Sequence, residues 1–295
     1  MALALVTAGL VSAPAAEAAI VRGFGLRFST NTTGDVVLTG NAVTTCPAAS
    51  SACTSARQAT GPIANRVNNS YNMVYVDVDS TRTTFNSSSA DLALPGGSRV
   101  LFAGLYWAGD THKPTGGTAV QNLRKKDRVL LDSPIATTGY VEVTGTVVDI
   151  DAHNAGAGDT DAYQAFADVT SVVAGAGNGT YSVANIQGAL GTDRWAGWAL
   201  VVAYEHTGHP SRNLTVFDGF GAVSAEATTG RTLTIPVAGF QTPPAGTVRT
   251  QIGTVVWEGE AGYTPDSLSL NGVALSDTQN PAGNFFNSTI SNLGV

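Results

Sequence analysis

Charged side chains are scarce in this chain. It carries 15 basic and 22 acidic residues among 295, or 13% in all, for a net charge of −7. Nucleic acid and anionic membrane surfaces both call for a basic patch, so neither is expected as a partner. The one basic cluster, Arg124-Lys125-Lys126-Asp127-Arg128, is interrupted by an acid and runs into the strand-like Val129-Leu130-Leu131, the pattern of a solvated turn. Lysine is confined to Lys113, Lys125 and Lys126, all in polar, turn-like surroundings, which argues against the buried Lys that a spontaneous Lys–Asn crosslink needs. Cysteine is limited to Cys46 and Cys53, and no His lies near them. A zinc site needs four ligands, and none are spaced for one. Beyond the first residues there is no apolar run of membrane-spanning length, no sustained heptad and no exact repeat, so the mature chain is expected to be soluble, with no membrane insertion.

What is present begins with a leader. Met1–Val11 is an apolar run too short to span a bilayer, followed by the small-residue stretch Ser12–Ala19, whose Ala16-Glu17-Ala18 fits an export cleavage site. Residues 1–19 are therefore expected to be a signal peptide, although the usual basic start is missing, and 20–295 a secreted, extracellular region. In an oxidising compartment two cysteines in a Ser/Ala loop are expected to close a small surface disulfide, Cys46–Cys53.

The remaining composition, rich in Gly, Thr, Ser, Asn and Val, suits half-buried strands joined by tight turns. Strand-like runs recur at Val36–Leu38, Met73–Val78, Ser98–Trp107, Tyr140–Ile150, Tyr181–Ile186, Trp198–Glu205, Asn213–Phe217, Arg231–Val237, Val248–Trp257 and Ser267–Leu270. Turn signals such as Pro95-Gly96-Gly97 and Asn178-Gly179 separate them. This predicts an all-β fold of the β-sandwich or jelly-roll type with very little helix, either one composite sandwich or two packed closely over 20–150 and 175–295. Val100–Trp107 and Trp195–Tyr204 are continuously apolar, as expected of central strands buried on both faces, and their glycines leave room for an aromatic ring against the backbone. The one helical candidate is Asp161–Val173, where Phe166, Val169, Val172 and Val173 keep helical spacing.

Candidate chemistry is thin. The segment Asp149–Asp161 gathers Asp149, Asp151, Asn154, Asp159 and Asp161 with two glycines, a hard-oxygen set that calcium can use, though without the EF-hand spacing or its closing Glu. Asp77 and Asp79 fall on one side of a strand, as a solvent-facing edge or a second metal position. His206 and His209 lie in a turn with no Glu placed to serve as a zinc protease base, and no Gly-x-Ser-x-Gly elbow occurs. For glycoside hydrolysis the acids to test are Glu258 and Glu260, with Asp110 as another. Trp107, Trp195 and Trp257 are the candidate sugar-binding platforms. The Asn-x-Ser/Thr triplets at Asn31, Asn86, Asn178, Asn213 and Asn287 are expected to mark strand ends, because the leader has a bacterial character.

Five phrases, Phe85–Pro95, Val100–Trp107, Ala196–Glu205, Arg212–Phe220 and Asn280–Ile290, resemble the N-terminal region of large secreted or wall-attached bacterial surface proteins that continue into tandem β-sandwich repeats of unknown function. The resemblance runs from about residue 24 to the last residue and implies surface attachment through a C-terminal part that this sequence lacks. It carries no catalytic residues. The leading expectation is a non-enzymatic surface or adhesion module that meets other surface proteins, or cell-wall or host glycans. The alternatives are a carbohydrate-binding module or carbohydrate-active enzyme, and a calcium-stabilised structural spacer.

Overall fold

The computed structural model describes residues 19–79, 81–137, 139–149, 161–223, 232–242 and 244–292. Of the expected signal peptide, 1–19, residues 1–18 lie outside them. Strand accounts for 42% and helix for 9%, so the all-β expectation holds, with several antiparallel sheets that include a curled six-stranded half-barrel.

The strands, in chain order, are β1 (Ala19–Ala42), β2 (Thr44–Thr45), β3 (Asn72–Tyr75), β4 (Ser87–Leu92), β5 (Arg99–Asp110), β6 (Arg128–Asp132), β7 (Val141–Thr144), β8 (Thr146–Asp149), β9 (Ala162–Asp168), β10 (Gly179–Ala184), β11 (Gly191–Thr192), β12 (Ala196–Glu205), β13 (Ser211–Ala222), β14 (Ser269–Leu270) and β15 (Val273–Ala274). The half-barrel has the order β13-β1-β12-β5-β9-β8, and a four-stranded sheet has the order β4-β10-β6-β7. Both draw strands from either side of residues 150–160. β1 is long enough to serve two partners. Its first part pairs with β13 from Ala19 to Thr33, with three register breaks, and its second part pairs with β12 from Gly34 to Ala42. Such bulges sharpen local twist and let one strand bend from one ladder into the next.

Period-two alternation places the core. Ala103, Leu105 and Trp107 of β5, Tyr163, Ala165 and Ala167 of β9, and Trp198, Leu200 and Val202 of β12 face Leu92, Val129, Leu131, Tyr181 and Val183 of the four-stranded sheet. The two indoles find partners within this core: Trp198 Nε1 donates to Ser88 Oγ on the opposite sheet at 2.9 Å, and Trp107 Nε1 donates to the Lys126 carbonyl at 2.8 Å. The other face of the half-barrel carries Phe102, Tyr106, Val201, Ala203 and Val216, and Val255 and Trp257 of the C-terminal segment pack on it. β5 and β12 are thus covered on both faces. A Cβ at Gly104 would come within 3.0 Å of the Phe102, Tyr106 and Phe166 rings, so the glycine does admit aromatic rings against the backbone.

Three expectations change. The predicted helix Asp161–Val173 splits into β9 and a short helix, Thr170–Ala176. The alternation of Tyr163, Ala165 and Ala167 into a ready-made core outweighed the weaker helical spacing. The described parts of Arg231–Val237 and Val248–Trp257 form no strand. Their alternating apolar residues lack a ladder partner, and Ile235, Val237, Val248, Ile252 and Val256 stay exposed. The disulfide forms, at an S–S distance of 2.03 Å, but not on the surface: Cys53 is wholly buried and Cys46 nearly so. Ser50 accepts from the Cys53 N–H and so caps the short helix Ser51–Arg57, whose inward side carries Cys53.

Candidate functional site

The residues that sequence reasoning proposed for chemistry fall into one assembly and several outliers. The assembly lies where the C-terminal segment crosses the half-barrel. Trp257 lies parallel to Trp195, with ring centroids 6.3 Å apart and planes 9° apart, over a small cluster with Ala162 and Phe220. Its Nε1 donates to Gln164 Oε1 at 2.9 Å, and Gln164 Nε2 donates in turn to the Gly219 carbonyl at 3.2 Å. Both indoles are half-buried, so part of each ring is spent on the other and on the sheet. Glu258 then takes a left-handed backbone conformation, φ 63°, which is uncommon for a residue with a Cβ and turns the chain sharply.

That turn brings both glutamates to one residue. Glu258 Oε1 accepts from Asn68 Nδ2 at 2.7 Å, and Glu260 Oε1 accepts from the Asn68 backbone N–H. Much of Glu258 remains exposed, but its carboxyl is crowded by protein. Loss of hydration, with like charge from Glu260, pushes it up to about 8. Glu260 is pushed up to about 7, chiefly by burial and against the stabilising Asn68 N–H. Asp193 adds repulsion to both. A carboxylate in this crevice is therefore easier to protonate than one in water.

Asp110 stands beside this crevice in a different state. It is 1% exposed and paired with Arg194, itself 4% exposed. Its Oδ1 also accepts the His112 N–H at 2.8 Å and the Asp161 N–H at 2.9 Å. Arg194 further donates to the Thr192 carbonyl. With its lone pairs engaged, Asp110 is a staple between β5, the stretch before β9 and the turn before β12, and not a free acid or nucleophile.

Trp107 is corrected outright as a platform. It is wholly buried in the sandwich core and presents no ring face to solvent. Of the calcium candidates, Asp151, Asn154 and Asp159 lie outside the described residues, as does the side chain of Asp149. Asp161 has its carboxylate 3.8 Å from His112 Nδ1. Among the described residues no group of three or more His, Cys, Asp or Glu is arranged to hold a metal. Asp79 is a hydrogen-bond hub: it accepts from the Thr81 N–H, Thr84 Oγ1 and Tyr140 Oη, while Asp77 accepts from Ser87 Oγ. Partial burial disfavours its charge, but these donors overcome that and hold the carboxyl at about 2. His206 and His209 stack edge to face within their turn.

Asn68, Gln164 and Arg194 were not singled out from sequence. Asn68 and Gln164 carry no local signal, since their partners lie 192 and 93 positions away. Arg194, which follows Asp193 and sits directly against the apolar run that starts at Trp195, offered a usable hint. Comparison with known proteins finds no protein family, curated protein or solved structure that matches this chain.

Proposed function

We propose that the chain is a non-enzymatic extracellular β-sandwich module of the surface or adhesion type, which meets other surface proteins or glycans. One observation carries this reading: the acids and aromatics best suited to sugar chemistry are engaged in bonds within the fold, and those of Trp257, Glu258 and Glu260 clamp the C-terminal segment to the half-barrel and to the turn at Asn68. Asp110 is locked by Arg194, Glu258 and Glu260 are both held by Asn68, and Trp257 is fixed by Gln164 and Trp195. Where Ser29–Asn31 of β1 pairs with Asn213–Thr215 of β13, the surface is polar, with Ser29, Asn31, Asn213 and Thr215 in a side-chain hydrogen-bond network. Further support comes from the resemblance of the five phrases to surface proteins, and from the leader, which favours export.

A second reading rests on its own observation. Two carboxyl groups pushed up to about 8 and about 7 lie beside a half-exposed indole pair, and a glycosidase needs one protonated acid near neutral pH. A glycan and matrix-protein binding screen on residues 20–295, run with a sugar-release assay, separates the two. The module reading expects binding without turnover, unchanged by Glu258→Gln. Sugar release that disappears in Glu258→Gln would overturn it.

A further inference from the structure

The half-barrel leaves a seam between the start of β1 and β8, and this seam holds an open cavity of about 510 Å3, within the roughly 300–1,000 Å3 usual for ligand sites. Arg22 and Arg27 form one wall, Thr144 and Thr146 another, and Phe166 and Asp168 the remainder. The two arginines are not equivalent. Arg27 is the more firmly held: Nε and Nη2 donate to Asp218 at 2.7 and 3.2 Å, and its guanidinium lies 4.2 Å from the Phe166 ring centroid. Asp218 is also satisfied, since it receives Tyr106 Oη at 3.2 Å as well. Arg22 only approaches the same carboxylate, Nη2 to Oδ1 at 3.3 Å, and its buried Nε has no hydrogen-bond partner. That Nε is closed off from solvent, but the Arg22 side chain as a whole is 32% exposed, so the rest of its guanidinium keeps N–H donors for a further oxygen.

We propose that this seam is a binding site for a single oxyanion group, a carboxylate or sulfate of an acidic saccharide, with Arg22 as its principal donor. The guanidinium fork matches the geometry of two oxygens on one centre, and the hydroxyls of Thr144 and Thr146 line the place where neighbouring sugar hydroxyls would lie. Asp168 sets the limit on charge. Its carboxylate lines the cavity, accepts the Thr170 N–H at 2.9 Å and opposes an anion. Together with the net charge of −7, it disfavours a polyanion such as nucleic acid and leaves room for one isolated group. The site lies apart from the Trp257 clamp and does not depend on the surface-module reading.

The test is a calorimetric and NMR titration of the chain with sodium sulfate, sodium glucuronate and neutral glucose at constant ionic strength, following the Arg22 Nε–H resonance. Sulfate or glucuronate, but not glucose, should shift that resonance. Binding of glucuronate alone points to a carboxylate saccharide, and binding of sulfate alone to a sulfated or inorganic source. Arg22→Gln should weaken binding roughly tenfold or more, the loss expected of a charge-assisted contact. Asp168→Asn should strengthen it roughly threefold by removing an opposing charge on the scale of an exposed pair, a gain that a misfolded variant cannot produce. No shift with either anion, unchanged affinity in Arg22→Gln, or weaker binding in Asp168→Asn each overturns the proposal.

Discussion

Asn86 shows how much a single side chain carries here. It is wholly buried, donates from Nδ2 to the Ile186 carbonyl at 2.8 Å and accepts the Ile186 N–H at 3.1 Å, so it stands in for one rung of a ladder beyond the end of β4 and β10. Asn178 does the same for Leu94 at the other end of that pair. Both belong to Asn-x-Ser/Thr triplets and lie at strand ends as expected, whereas Asn31 lies within β1 and Asn287 in no strand. Removing the Asn86 amide leaves a buried donor and a buried acceptor without partners, at about 1–3 kcal/mol each. Asn86→Ala is therefore expected to lower unfolding free energy by about 2–6 kcal/mol, read as a shift of the urea midpoint at unchanged slope. Asn31→Ala, on the exposed ladder, should stay within about 0.5 kcal/mol. Asp110 and Arg194 follow the same logic with charge, because a buried ion bereft of its partner is costly.

At the scale of elements, the short helix Ser51–Arg57 and its disulfide pin one end of the molecule. Six residues lie between Cys46 and Cys53, and closing so small a loop is worth about 2–3 kcal/mol in the chain-entropy model. Cys53 packs in the interior, so replacing the bond with two serines also buries polar atoms. Cys46→Ser with Cys53→Ser is expected to lower the melting temperature by more than Cys46→Ala with Cys53→Ala, and the difference measures burial separately from loop closure. A melting temperature equal to wild type in both pairs would show that the bond does not constrain the fold. The C-terminal hairpin is local by comparison: Asn271 and Gly272, at φ 49° and 79°, supply the left-handed pair that a tight two-residue turn between β14 and β15 requires.

At the scale of the whole molecule, the decisive contact is the clamp around Trp257, and its strength should depend on pH. Glu258 and Glu260 titrate above the ordinary carboxylate value in the folded chain, so the folded state holds protons that the unfolded state has already released. Stability must then fall as pH rises from about 4.5 to about 8. Asp79 acts in the opposite direction: held at about 2 against an ordinary 3.8, it contributes stability that is present above the higher value and lost as pH falls toward the lower one. The melting temperature is thus expected to peak near about pH 4 to 4.5. Glu258→Gln should flatten the decline toward pH 8 and raise stability there, by about 1 kcal/mol or less because much of the residue remains open to solvent screening. A melting temperature that rises steadily from pH 5 to 8 would refute the coupling.

The layered β architecture and its two double-faced central strands were legible in the chain, because alternation and apolar runs are local properties written residue by residue. So was the Cys46–Cys53 pairing, forced by having two cysteines. Trp107 and Trp257 illustrate what was not legible: both end strand-like runs, yet the first run became a central strand with its indole in the dry core, while the second found no ladder partner and laid its indole over a crevice. The meeting of Glu258, Glu260 and Asn68, and of Arg22 with Asp218, joins positions some 190 residues apart, and no local pattern encodes such encounters. The order of residues was enough to set the sheet-rich class and the apolar central strands β5 and β12, though not the fate of 161–173, 231–237 or 248–257. Only the tertiary structure decided which charges face each other, because electrostatic partners are set by distance in space and not along the chain.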